Sequence, residues 1–403
     1  MDNILLGQLG AKGDCLYATI LARQLRHDYP DAKITWAIFE GNSDLLANNP
    51  HIDEIWSIPL SDRSQTTSIW KVFEHEAMRR VIRKEFDRIV FSQINPNNFQ
   101  NYDGTIRTSM LRAYGAPITV PIENVITLGD DEIARVENFA REAQLDQFEH
   151  RILFECTAQS GQSFINTDIA QEIAAELYKI LPSATVIFTT HLPMTLKDPR
   201  SRYAGTLSLR ETAHLTQHCT LFVGAGSGGT VAASSTSSRH LPMIQLLKKS
   251  TSVYASFACD FDYFGITDWP VIEMTDERPA HIARCISVVS RDGFEAAAKE
   301  FDRRVAVTFD YYCKSIDLFL LRQHRYLDAA RSLMITAARF GWTQDLIDFG
   351  KSQIAPNLRL DPAWLFKSNR PLRDELLSAI DVAATHPVPA PRQGLWRDEN
   401  NKR

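Results

Sequence analysis

Residues 3–39 read NILLGQLGAKGDCLYATILARQLRHDYPDAKITWAIF. Ile4-Leu5-Leu6 is an unbroken apolar run, the pattern of a strand covered on both faces. A glycine-punctuated turn follows. From Cys15 to His27, Leu16, Tyr17, Ile20, Leu21 and Leu25 then cover a broad helical face. Tyr29-Pro30-Asp31 stops that helix, and Ile34 to Phe39 resumes as a strand. A strand, turn, helix and second strand in such close succession form a crossover unit, which implies a parallel sheet. Asp14 stands behind Gly13 at the mouth of the helix. As a helix cap it would contribute about 1 kcal/mol. On the first βα loop of an open sheet it also points into the crevice where such sheets bind ligands.

The alternation continues outward from this unit. Ile52 to Ile58 is a third strand, Ile69 to Phe86 an amphipathic helix, and Arg88 to Ser92 a fourth strand. The pattern restarts near residue 150, with a strand at Arg151 to Glu155 and a helix at Asp168 to Ile180, capped by Thr167 or Asp168. Thr185 to Thr190 is again a strand, SLRETAHLTQH a short helix, and CTLFVGAG and LPMIQLL two more strands. The fold class is therefore α/β, with two Rossmann-like parallel-sheet domains in tandem facing a cleft. A polar helix at Asp130 to Leu145 leads to the linker between them. The expected divisions are 1–147, 148–275, a helical extension over 276–385, and a Pro-rich flexible tail over 386–403.

Composition narrows the classes. The chain has 403 residues, 44% hydrophobic and 23% charged, in the range of an ordinary globular protein. A net charge of −5 lacks the basic footprint of a nucleic-acid binder. No apolar run reaches the roughly 18–20 residues that span a bilayer, and the first residues lack the basic region of a signal peptide. The six cysteines are scattered without a CxxC pair. That usage fits reduced thiols in the cytoplasm and gives no structural zinc site.

The sharpest chemical motif is LFVGAGSGGT, residues 221–230. A buried strand runs into clustered glycines and then a helix, so Gly224, Gly226, Ser227, Gly228, Gly229 and Thr230 are candidates to hold a ligand's diphosphate. Gly224, Gly226 and Gly229 satisfy the G-x-G-x-x-G spacing. The loop comes late in the chain, however, and MIQLLKKSTS supplies no acid after it, which disfavours a dinucleotide reading. A packing turn is the alternative. Glu155 and Thr157 sit at the end of a strand, where cleft residues belong, and His191 follows another strand. Asn95, Tyr102, Asp103 and Arg107 lie in a polar stretch suited to sugar hydroxyls or to a plain surface loop. Helix 70–88 carries Lys/Arg at 71, 79, 80, 83, 84 and 88 against Asp/Glu at 74, 76, 85 and 87. It reads as a face toward an anionic acceptor or membrane, or as a solvated one.

Taken together, GQLGAKGDCLYATILARQLRHDYPDAKITWAI, LLANNPHIDEIWSI and LSLRETAHLTQHCTLFVGAGSGG resemble, in matching order, the bacterial heptosyltransferases of glycosyltransferase family 9. The resemblance implies the two-domain GT-B fold, with the acceptor on the N-terminal domain and a nucleotide-sugar on the C-terminal one. It makes Asp14 the catalytic base, and Lys12 and Gly13 beside it become acceptor candidates; Thr157 and His191, by their places after strands, and Gln162, as a neutral hydrogen-bonding side chain, are the donor candidates. The sequence departs from the family in having Gly226 where an Asp is usual and Val231 where a His is usual. The segment AQSGQSFINTD is neutral where a phosphate-binding Lys is usual, so the donor sugar is open. The implied activity is an inverting, metal-independent glycosyl transfer without cofactor, to a glycan, glycolipid or protein acceptor in surface-glycan synthesis such as lipopolysaccharide. The implied location is the cytoplasm, with peripheral association at the inner face of the membrane. A sugar-nucleotide epimerase or hydrolase, and a non-catalytic binding or scaffold protein on the same fold, are the alternatives.

Overall fold

A computed structural model describes residues 2–249, 255–360 and 370–385; the tail expected over 386–403 lies outside the described residues. Two compact units divide the chain: Met1–Val90 with Ile118–Val305, and Phe91–Pro117 with Ala306–Arg403.

The first unit holds two sheets. Strands β1 (Asn3–Gly7), β2 (Lys33–Phe39), β3 (Glu54–Ile58) and β4 (Arg88–Phe91) form the sheet β3-β2-β1-β4. Helix α1 (Lys12–Asp28) crosses from β1 to β2, which pair in parallel, as do β2 and β3. Ile4, Leu5 and Leu6 are wholly buried, as their continuous apolar run requires. Helix α2 (Thr66–Ile82) packs through Trp70, Phe73 and Ala77, and Trp56 of β3 meets the Phe73 ring edge-on. Helix α3 (Arg107–Arg112) follows in the second unit, and α4 (Asp130–Glu142) returns to the first.

The second sheet is built from β5 (His150–Glu155), β6 (Ala184–Thr189), β7 (Arg202–Tyr203), β8 (Leu221–Gly224), β9 (Met243–Leu246) and β10 (Val271–Met274), in the order β10-β9-β8-β5-β6-β7. All five pairings are parallel. Helix α5 (Thr167–Ile180) is capped by Asn166, whose side chain accepts from the amides of Asp168 and Ile169; neither Thr167 nor Asp168 is the cap. Helices α6 (Leu209–Leu215), α7 (Gly228–Ala232) and α8 (Phe257–Phe264) follow in turn, and then α9 (Pro279–Asp292) and α10 (Phe294–Phe301). Ile282 and Ile286 of α9, with Ala297 and Phe301 of α10, join Ile173 and Leu177 of α5 in the core over Phe154, Val223, Ile244 and Ile272.

The second unit gathers α11 (Phe309–Phe319), α12 (Tyr326–Phe340), α13 (Gln344–Phe349), α14 (Ala355–Leu360) and α15 (Arg370–Thr385) with residues 91–117. Phe99 stacks on Phe319 at 4.1 Å between ring centroids, Tyr102 stacks on Tyr312, and Ser332 donates to the Tyr102 carbonyl. Arg325 donates to the Pro96 carbonyl.

Candidate active site

In an open parallel sheet, neighbouring strands whose connections leave in opposite directions open a crevice beyond their carboxyl ends. In the second sheet β5 and β8 are such a pair, with Glu155 ending one and Gly224 the other. In the first sheet the pair is β1 and β4, and β1 feeds the loop that carries Asp14. Both motifs therefore lie at the positions where this architecture places ligands.

The glycine turn closes on an internal anion. Glu155 is buried, and its Oε2 accepts from the Ala225 amide at 2.8 Å and the Thr230 hydroxyl at 2.6 Å. Its Oε1 accepts from the Gly229 amide at 2.6 Å and the Ser227 hydroxyl at 2.5 Å. A Cβ on Gly229 would stand 2.5 Å from that Oε1, so only glycine lets the amide come this close. Gly226 takes a positive φ of 66°, and its amide turns back onto the Thr230 hydroxyl. The donors of Ala225, Ser227, Gly229 and Thr230 are thus directed at Glu155. The Gly228 backbone is half-buried at the outer rim of the turn.

Helix α1 begins at Lys12 with Ala11 at its cap position, which makes no side-chain cap bond. Asp14 is therefore the third residue of the first turn and not the N-cap. There its charge complements the helix dipole without closing the helix end. It is half-buried, and its negative charge adds to burial in pushing the neighbouring Cys15 thiol well up, with Lys12 opposing. The turn that carries Asp14 meets the glycine turn directly. A Cβ on Gly13 would lie 3.3 Å from the Gly228 Cα and 3.6 Å from Val231 Cγ2.

Buried polar groups fix this meeting. Asn124 donates to the Val231 and Ser234 carbonyls at 2.9 Å, while the next amide, of Val125, donates to the Thr19 hydroxyl of α1 at 2.7 Å. Gln24 of α1 accepts from the amides of Thr119 and Val120. Arg210 binds Glu132 of α4 at 2.8 Å through two nitrogens, and the carbonyls of Leu45, Ala47 and Thr127. Ser208 and Glu211 close a capping box on α6, and Glu211 also pairs with Arg135. The S-L-R-E run is thus a structural joint between the sheets, a role that its sequence spacing does not disclose. Asn124 carried no sequence signal at all.

The other candidates divide. Thr157 lies at the turn: its carbonyl accepts from Ser227, and its hydroxyl lies 3.3 Å from that of Thr190. Gln162 donates to the Gly226 carbonyl at 3.2 Å, and its buried Oε1 has no hydrogen-bond partner among the described residues. That oxygen is an acceptor next to the turn. His191 is exposed and sits 3.2 Å from Gln159. Lys12 is exposed. Asn95, Tyr102, Asp103 and Arg107 belong to the second unit. Asn95 is exposed and Arg107 buried, while Tyr102 and Asp103 are 1% and 0% exposed. Burial would raise the Asp103 carboxyl, but Arg112 at 2.5 Å and Arg339 at 2.8 Å overcome it and hold the group at about 2. Its charge is matched within its own unit. Among the described residues no three His, Cys, Asp or Glu side chains converge as a metal site, and no helix is long and apolar enough to cross a membrane.

No protein-family model matches the chain, and no curated protein does. Solved structures do resemble it at low identity. A glycosyl transferase family 9 protein from Veillonella parvula DSM 2008 shares 16% identity with a TM-score of 0.49, covering 74% of this chain and 96% of that one. The E. coli heptosyltransferase WaaC with ADP shares 12%, with a TM-score of 0.46 over 72% and 99% of the two chains. The E. coli ADP-heptose lps heptosyltransferase II shares 15%, with a TM-score of 0.42 over 74% and 99%.

Proposed function

We propose that the chain is a glycosyltransferase that moves a sugar from a nucleotide-sugar to an acceptor hydroxyl, with Asp14 as general base. The observation that carries this reading is the contact of Gly13 with Gly228, which brings an acid-bearing helix turn against a glycine turn. Asp14 takes the proton from the acceptor hydroxyl as that oxygen attacks the anomeric carbon. The nucleoside diphosphate leaves from the opposite side, so configuration inverts. Because Glu155 already engages Ala225 and Gly229, the diphosphate is expected at the rim over Gly228 and not inside the turn. Backbone dipoles there meet the leaving-group charge without a metal ion.

A second reading is a binding protein that has lost transfer. Glu155 favours it, since a fixed carboxylate inside the turn repels a phosphate beside it. Release of nucleoside diphosphate in the presence of acceptor, beside calorimetry with a panel of nucleoside diphosphates and their sugars, separates the two. Transfer predicts that one nucleotide-sugar binds and that Gly228→Val weakens it by at least about tenfold, the loss of one charge-assisted bond of about 1.5–3 kcal/mol. Binding by no member of the panel would contradict the transferase reading.

A further inference from the structure

The turns that leave the carboxyl ends of the second sheet differ in charge. The turn after β5, residues 156–163, reads CTAQSGQS and has no charged side chain, and the glycine turn after β8 has none either. After β6, Lys197 lies 3.6 Å from Asp168 and Arg200 pairs with Asp198. After β10, Arg278 pairs with Asp276. Lys248 and Lys249, after β9, are the exception. Both are exposed, and neither forms an ion pair among the described residues. The next acid along the chain is Asp260, which is buried on α8.

This lysine pair stands beside the glycine turn. Strand β9 runs parallel to β8 with Gln245 in register with Gly224, and a Cβ on Gly226 would lie 3.1 Å from Cδ2 of Leu247. The Lys248 amide donates to the Gln162 carbonyl at 2.8 Å, while the Gln162 side chain donates to the Gly226 carbonyl at 3.2 Å. The backbone at Lys248 is thereby tied to the turns after both β5 and β8, within one compact unit. A cation is needed here. The Glu155 carboxylate repels an incoming phosphate, and the donors around it are already spent on it. Ammonium groups on long, flexible stems offset that repulsion from the side.

We propose that Lys248 and Lys249 are the charge-selective part of the donor site, gripping the diphosphate of a nucleotide-sugar from the end of β9. The inference rests on the transferase reading and adds the groups that favour a diphosphate over an uncharged ligand. They belong to a different strand from AQSGQSFINTD, which is neutral. Their ammonium groups donate to phosphate oxygens and offset the charge that builds as the nucleoside diphosphate leaves.

The test is calorimetry of the full-length protein with ADP, GDP, UDP, CDP and dTDP, and with the free nucleoside of whichever binds. Lys248→Gln with Lys249→Gln should weaken the diphosphate by at least about tenfold, the loss of one charge-assisted bond, and leave the nucleoside unchanged. Lys248→Arg with Lys249→Arg should retain most of the affinity. Added salt should narrow the gap between the wild type and the Gln pair, because exposed charges are screened. Equal diphosphate affinity in the wild type and the Gln pair overturns the inference and leaves the transferase reading standing. An equal loss for nucleoside and diphosphate assigns the lysines a packing role and also overturns it. Binding of no diphosphate by the wild type removes the transferase reading, and the inference with it.

Discussion

At the scale of single residues, Glu155 and Asp14 are two carboxylates with different duties. Glu155 receives two amides and two hydroxyls, so its negative charge is consumed in shaping the turn. Glu155→Ala strands two buried amides and should destabilise the fold by about 2–6 kcal/mol, by the usual cost of about 1–3 kcal/mol for each unsatisfied group. The lost charge also vacates an anion site. Pyrophosphate should therefore raise the melting temperature of the variant by more than that of the wild type. An unchanged wild-type midpoint in Glu155→Ala would mean that the carboxylate is not the turn's organiser. Asp14 stands instead in the first turn of α1, whose cap position is held by Ala11.

Between elements, the informative carboxylate is Glu273 on β10. It accepts from Ser256, the cap of α8, and from the Val305 amide at 2.9 Å, so one buried group ties β10, α8 and the chain beyond α10 together. Burial pushes its carboxyl up from 4.5 to about 7, helped by Asp302 and opposed by the Ser256 and Val305 bonds and by Arg304. Between those pH values the folded protein holds a proton that the unfolded chain has released, so stability falls as pH rises from about 4.5 to about 7. The span corresponds to about 3 kcal/mol. Denaturant titrations across this range should show that fall in the wild type and a flatter curve in Glu273→Gln. Parallel slopes would contradict the assignment.

The elements themselves were largely legible, because buried parallel strands announce themselves as apolar runs such as RILFE and LFVG. Asp14 and the glycine turn were legible for the same reason: each follows a strong strand and opens a helix. What escaped was set by contacts remote in sequence. Asn124 sits in an irregular stretch, and its role exists only because Val231 and Ser234 lie opposite. The polar stretch 94–115 looked like a ligand loop, yet Tyr102 and Asp103 are buried by Tyr312 and Arg339, more than two hundred residues on. The short strands β7 and β10 carried too little pattern to stand out.

At the scale of the molecule, both sheets belong to one compact unit, and within it the loops after β1 and β8 meet through glycines. Residues 91–117 join the C-terminal helices in a second unit with its own aromatic and ionic core. The central claim concerns the first unit alone: that Asp14 is a base in glycosyl transfer and not an adjunct to its helix. The Asp14→Asn variant separates these roles, because the amide keeps the shape while losing the ability to take a proton. Its effect on the helix dipole is limited to about 0.3–1 kcal/mol. Release of nucleoside diphosphate should be measured in the presence of acceptor, beside calorimetric binding of the same nucleotide-sugar. The account predicts that turnover falls by about a hundredfold to ten-thousandfold while donor affinity is unchanged. Near-normal turnover in Asp14→Asn would contradict it and return Asp14 to a structural role in the first turn of α1.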